Sequence, residues 1–102
     1  MNLIRRDETG EYYSMNIKRG QSFDLQLSET AGTGYSWKID HTPGLQLLDE
    51  KVILQNMVPG GSGTQVWTFR ATMPGNQQIT AVYRRPWEHT VERPNVYFVK
   101  VT

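Results

Sequence analysis

From residue 12 to the end of the chain, apolar and polar residues alternate with period two, and no stretch repeats at helical spacing with a cap. Tyr13, Met15 and Ile17 alternate with Ser14 and Asn16; Phe23, Leu25 and Leu27 alternate with Asp24, Gln26 and Ser28. The pattern continues through Tyr35, Trp37 and Ile39, through Trp67, Phe69 and Ala71, and through Ile79, Ala81 and Tyr83, and it closes with Tyr97, Val99 and Val101. A strand sends successive side chains to opposite faces, so this alternation describes strands with one face buried and one wet. Leu45 to Gln55 is apolar at Leu45, Leu47, Leu48, Val52, Ile53 and Leu54, and reads as one or two strands kinked near Asp49-Glu50-Lys51, with a short helix as the weaker reading.

About seven short strands in a chain of 102 residues suit an all-β immunoglobulin-like sandwich. At that length folding buries roughly 60–70% of the extended surface, enough for one modest core. The expectation is therefore one domain over residues 1–102, with residues 1–11 either a tail or an extra edge strand. Trp37, on the third alternating strand, stands where such folds bury an aromatic. The chain has no cysteine, so no disulfide joins the sheets, and thiolate metal sites and a cysteine nucleophile are excluded.

The connections divide into two sets. Lys18 to Gln21 around Gly20, Thr42-Pro43-Gly44 and Met73-Pro74-Gly75-Asn76 have the composition of tight turns. Glu29–Gly34, Met57–Gly63 and Arg85–Pro94 are longer. If successive strands run up and down, the tight turns share one end of the sandwich and the long connections share the other. Short connections need only close a fold, whereas long ones more often carry function.

The catalytic inventory is thin. His41 and His89 are far apart in the chain, no serine sits in a nucleophile elbow, and no carboxylate–histidine set has metal-ligand spacing. Asp40, Asp49, Glu50, Glu88 and Glu92 read as solubilising charge. Neither an enzyme nor a cofactor is expected. With 11 basic and 10 acidic residues the net charge is +1, which gives no general attraction to nucleic acid or to an anionic membrane. Arg84, Arg85 and Arg93 beside Tyr83 and Trp87 form only a weak nucleic-acid footprint, and Gly60-Gly61-Ser62-Gly63 lacks the lysine and helix of a phosphate loop. No apolar run reaches the ~20 residues that span a bilayer. The first residues lack the apolar core of a secretory signal, so the protein stays inside the cell or lost a signal before this numbering begins.

Arg85-Pro86-Trp87 is more informative. Proline removes a backbone donor and ends the strand. The tryptophan beyond it either stands at the surface as a binding hot spot or folds back to cap the core.

Three motifs on the three long connections resemble, in order, those of the chagasin family of cysteine-protease inhibitors. Thr30-Ala31-Gly32-Thr33-Gly34-Tyr35 followed by Trp37 is similar to Asn-Pro-Thr-Thr-Gly-Tyr/Phe with a strand tryptophan. Thr33, Gly34 and Tyr35 agree, while Thr30, Ala31 and Gly32 depart. Gly60-Gly61-Ser62-Gly63 is similar to Gly-x-Gly-Gly with a serine for one glycine, and Arg85-Pro86-Trp87 matches Arg-Pro-Trp/Phe. The resemblance runs from about Tyr12 to the C-terminus.

It implies a monomeric immunoglobulin-like domain that blocks papain-like cysteine proteases reversibly and without a covalent bond, by filling the cleft with three loops. Thr33 and Gly34 would lie nearest the catalytic cysteine and histidine. Tyr35 would hold the loop base, Gly60 to Gly63 would line one wall, and Trp87 would pack on the other. Replacing Asn-Pro and gaining Gly32 should loosen the first loop, at a cost of about 0.5–1 kcal/mol for the extra glycine. The alternative is a non-inhibitory binding or adhesion module that uses Trp87 as a platform for carbohydrate or protein.

Overall fold

The computed structural model describes residues 5–6, 12–30, 34–54, 62–88 and 94–102. Eight strands run β1 Arg5–Arg6, β2 Tyr12–Ile17, β3 Ser22–Thr30, β4 Ser36–His41, β5 Leu45–Leu54, β6 Ser62–Ala71, β7 Gly75–Arg84 and β8 Asn95–Val101. They form a five-stranded sheet in the order β1-β2-β8-β7-β4 and a three-stranded sheet in the order β3-β6-β5. All pairs are antiparallel except β2 with β8, which lie parallel from Tyr12 opposite Val96 to Ile17 opposite Val101. This is an immunoglobulin-like sandwich, and the alternation in the sequence builds it directly: one face of each strand supplies the core.

Phe69, Ala71 and Ile79 are fully buried, with Phe23, Leu25, Leu45, Trp67, Ala81, Tyr97, Val99 and Val101 around them. The Phe23 and Phe69 rings stack at 5.7 Å and those of Tyr13 and Tyr97 at 4.7 Å. Trp67, not Trp37, is the deeply buried tryptophan, because β6 is the middle strand of its sheet whereas β4 is an edge. Trp37 is half-buried and packs on the rim of the core. Val66 points away from that core and is still buried, since in register it lies between Gln26 and Lys51 on the flanking strands.

Leu45–Leu54 is one strand with a bulge between Leu47 and Asp49. The bulge reverses the inward parity, so Leu47 pairs with Phe69 but Glu50, not an aliphatic, pairs with Trp67. Leu48, in the bulge, and Ile53, turned to the outer face, are consequently exposed, and Val52 is exposed although it keeps the inward parity on this edge strand. Glu50 accepts a hydrogen bond from Gln65 Nε2 at 2.7 Å, a structural use for a residue that the sequence suggested was only solubilising. Arg5 and Arg6 pair with β2 at the edge of the larger sheet.

The two ends differ as the connection lengths suggest. Gly20 N donates to the Ala71 carbonyl and Ala71 N to that of Gln21, while Thr72 N donates to that of Gly44. These bonds bring the three tight turns together. Gly20 and Gly75, with φ of 93° and 112°, hold left-handed positions that a side chain would strain.

Candidate functional site

At the opposite end, strand pairing extends further toward the tip than the sequence suggests. Glu29 and Thr30 were expected in the first long connection and Ser62 and Gly63 in the second. Instead they are the last rungs of the β3–β6 ladder, Glu29 opposite Gly63 and Thr30 opposite Ser62. The bases of the first two connections are therefore joined backbone to backbone, and Gly63 is buried. A local reading of sequence sees glycine and serine as loop formers; the facing strand supplies the hydrogen bonds that override this. Glu29 points into the sandwich, and its Oε2 is shielded with no hydrogen-bond partner among the described residues. Ala31, Gly32, Thr33, Gly60 and Gly61, and likewise His89, Glu92 and Arg93, lie outside the described residues.

Gly34 and Trp87 join the first and third connections. Gly34 has φ +81°, and a methyl group on its Cα would overlap Cη2 of Trp87 and sit 3.1 Å from Cζ2. The Cη2 edge of the indole thus meets a position where only glycine fits. Its remaining surface faces solvent: Trp87 is 65% exposed. Trp87 therefore stands at the surface and does not fold back to cap the core. The turn that carries it is closed by Glu88 N donating to the Arg85 carbonyl at 3.2 Å. Pro86 occupies its second position, where its fixed φ is already correct, and the negative φ at Trp87 excludes a type II turn.

Arg85 shapes this turn. Its Nη1 donates to Glu88 Oε1 at 3.0 Å, and its Cζ stands 4.4 Å from the centroid of the Tyr35 ring. Arg84 Nη2 donates to the Glu88 carbonyl at 3.3 Å. The small basic spot is accordingly bound up with its own turn, and Glu88 is a structural partner rather than a solubilising charge. Tyr35 stacks on Tyr83 at 5.2 Å, and Tyr83 meets Trp37 at 4.7 Å. Trp37 Nε1 donates across the sandwich to the Ser28 carbonyl at 2.9 Å. β3 is an edge strand, so among the described residues its carbonyls on that side have no strand partner, and the indole takes one of them. Tyr83 and Glu88 are the members of this site that motif reading missed. The alternation that runs along β7 to Tyr83 and on to Arg85, just past its end, is the signal that could have found the first.

His41 is exposed at the far end. Its ring meets Phe69 edge-on at 5.1 Å and its Nδ1 donates to the Thr42 carbonyl at 3.2 Å, the posture of a strand-end residue rather than a base.

The family model described as chagasin family peptidase inhibitor I42 matches residues 16–101. The chain belongs to the chagasin family of peptidase inhibitors. Family membership, not a missing residue set, is what makes it an inhibitor rather than an enzyme. Amoebiasin-1 of Entamoeba histolytica is 33% identical over 76 residues, which are 72% of this chain and 74% of that protein. Among solved structures, the cysteine protease inhibitor EhICP2 from Entamoeba histolytica superposes with a TM-score of 0.78 at 22% identity, covering 87% of this chain and 86% of that one. The solution structure of Amebosin gives 0.70 at 26% identity over 87% and 88% of the two chains. PbICP-C, solved in complex with falcipain-2, gives 0.66 at 20% identity over 90% and 87%. The last and the first of these share this fold.

Proposed function

We propose that this protein is a reversible, non-covalent inhibitor of papain-like cysteine proteases, which occludes the active-site cleft with its three long connections. The observation that carries the reading is the convergence just described. Thr30 pairs with Ser62 and Gly34 underlies Trp87, so the first motif is central and the other two flank it. A three-part wedge needs that order.

In this reading Thr33 and Gly34 lie nearest the catalytic cysteine and histidine, Ala31 and Gly32 enter the cleft beside them, and Thr30 and Tyr35 hold the base of the loop. Glycine there lets backbone approach an enclosed surface closely. Gly60, Gly61 and Ser62 run along one wall, with the buried Gly63 at the foot of that connection, and Pro86 and Trp87 cover the other. No residue of the set is a nucleophile or an electrophile, so occupancy alone accounts for inhibition. The ladder at the base of the first two connections limits the entropy lost on docking.

Trp87 supplies the largest apolar contact. The exposed 65% of its side chain is about 150 Å², worth about 2–4 kcal/mol if fully desolvated.

Titration of papain or a cathepsin with the protein tests the proposal. Activity should fall with a tight stoichiometric endpoint, return on dilution, and leave both proteins at their native masses. Full protease activity at micromolar inhibitor would refute it. The binding or adhesion alternative has the exposed indole in its favour and nothing else, and a glycan array run beside the titration separates the two.

A further inference from the structure

Arg85 stands in the intact third motif, and the resemblance counts it with the protease-facing residues. Inside the molecule, however, its guanidinium is engaged on two sides. One face lies over the Tyr35 ring at 4.4 Å, and one edge donates to Glu88 Oε1 at 3.0 Å. Tyr35 is where the first connection re-enters the sheet; Glu88 is where the third turn closes. Gly34 precedes Tyr35, and Trp87 lies between Arg85 and Glu88. Holding Tyr35 against Arg85 and Arg85 against Glu88 therefore sets the spacing of Gly34 and Trp87.

We infer that Arg85 is a positioning residue of the wedge and not a protease contact: it braces the first connection against the third before any protease arrives. The inference rests on the three-loop reading above. The chemistry demands arginine. A planar guanidinium offers a face to an aromatic ring and an edge to a carboxylate at once, whereas a lysine ammonium has no such geometry. The anchor beneath is firm, since Tyr35 stacks on Tyr83, Tyr83 packs at a tilt against Trp37, and Trp37 bonds to the opposite sheet. The brace also matters more in this chain than the family motif requires. Residues 30–32 read Thr-Ala-Gly in place of an Asn-Pro-led sequence, so the first connection lacks proline's built-in stiffness.

The test begins without protease. Gly34 lies against the indole of Trp87, so its Hα resonances are displaced by the ring current in the free protein. Arg85→Ala and Arg85→Lys should both collapse that displacement, while the amide signals of β6 and β8 stay in place and confirm the fold. Inhibition of papain should weaken about fivefold to tenfold in both variants. In a Trp87→Ala background, where there is no indole left to position, Arg85→Ala should cost little further inhibition. Glu88→Gln, which removes one side of the brace and leaves the arginine in place, should produce a smaller loss in the same direction.

Weaker inhibition with an unchanged Gly34 signal would mean that Arg85 touches the protease, and would overturn the inference. So would an Arg85→Ala variant that changes neither. If the protein inhibits no papain-like enzyme, the function proposed above fails, but the Gly34 signal still decides whether Arg85 is the brace.

Discussion

Gly34→Ala perturbs the wedge at the one described position where backbone and packing both demand glycine. At φ +81° an L-residue sits in the left-handed region at a cost of about 1–2 kcal/mol. That cost belongs to stability and, for a domain of this size, lowers the melting temperature by roughly 4–12 °C. The second effect concerns binding. The new methyl overlaps Cη2 of Trp87, and since the indole is 65% exposed it swings outward instead of straining the core. Trp87 then leaves the position from which, in the proposed function, it contributes about 2–4 kcal/mol, and inhibition should fall about thirtyfold to several hundredfold. A two-by-two cycle with Trp87→Ala, read by thermal melting and by inhibition constant for papain, separates the effects. The melting loss should be the same in both backgrounds, because backbone strain does not depend on the indole. The inhibition loss should shrink to less than about threefold once the indole is gone. A full inhibition loss in the Trp87→Ala background would show that the methyl collides with the protease itself, and an unchanged melting temperature would show that Gly34 carries no backbone strain. Either result refutes the reasoning.

Other consequences are simpler. Trp87→Ala alone should weaken inhibition at least tenfold, an effect of about 1.4 kcal/mol or more, and leave the melting temperature nearly unmoved because most of the side chain is in water. Trp37→Phe removes the hydrogen bond to Ser28 that ties the two sheets, and should cost about 0.5–1.5 kcal/mol of stability by denaturant titration. Phe69→Ala empties a fully buried site between Phe23 and His41 and should cost about 3–5 kcal/mol by the same measurement. Burial raises the Tyr97 phenol above its usual 10.0, the bond from Asn95 Nδ2 opposes this, and Tyr13 adds to it. Because the folded value is the higher one, the stabilisation is complete below pH 10 and is lost as pH rises from there through the folded value. Denaturant titrations in that alkaline window should therefore show a falling stability that is shallower in Tyr97→Phe.

Period-two alternation with three Pro- or Gly-centred turns suffices to specify the sandwich, because every strand must bury one face and each turn restricts where a strand can end. The inward set Phe23, Leu25, Phe69, Ile79, Val99 and Val101 was legible residue by residue for that reason. So was the division into an end of tight turns and an end of longer connections, since connection length alone implies it. Order and spacing of the three motifs were equally local information, and they sufficed for the family.

Tertiary structure decided what depends on partners distant in the chain. Which tryptophan is buried follows from strand order: Trp67 is on a middle strand and Trp37 on an edge, and no local pattern distinguishes them. Glu29, Thr30, Ser62 and Gly63 became ladder rungs because each finds its hydrogen bonds on a strand more than 30 residues away in the sequence. The bulge at Leu48 reversed the faces of β5 through its register with β6. Above all, the Thr30–Trp37 stretch has the composition of a flexible tip tied to an aromatic anchor, and by itself it does not say what holds it. The fold places Trp87 on Gly34, Arg85 on Tyr35 and the Trp37 indole on the Ser28 carbonyl. Those contacts join three separate parts of the chain, which is why only the assembled sandwich contains them.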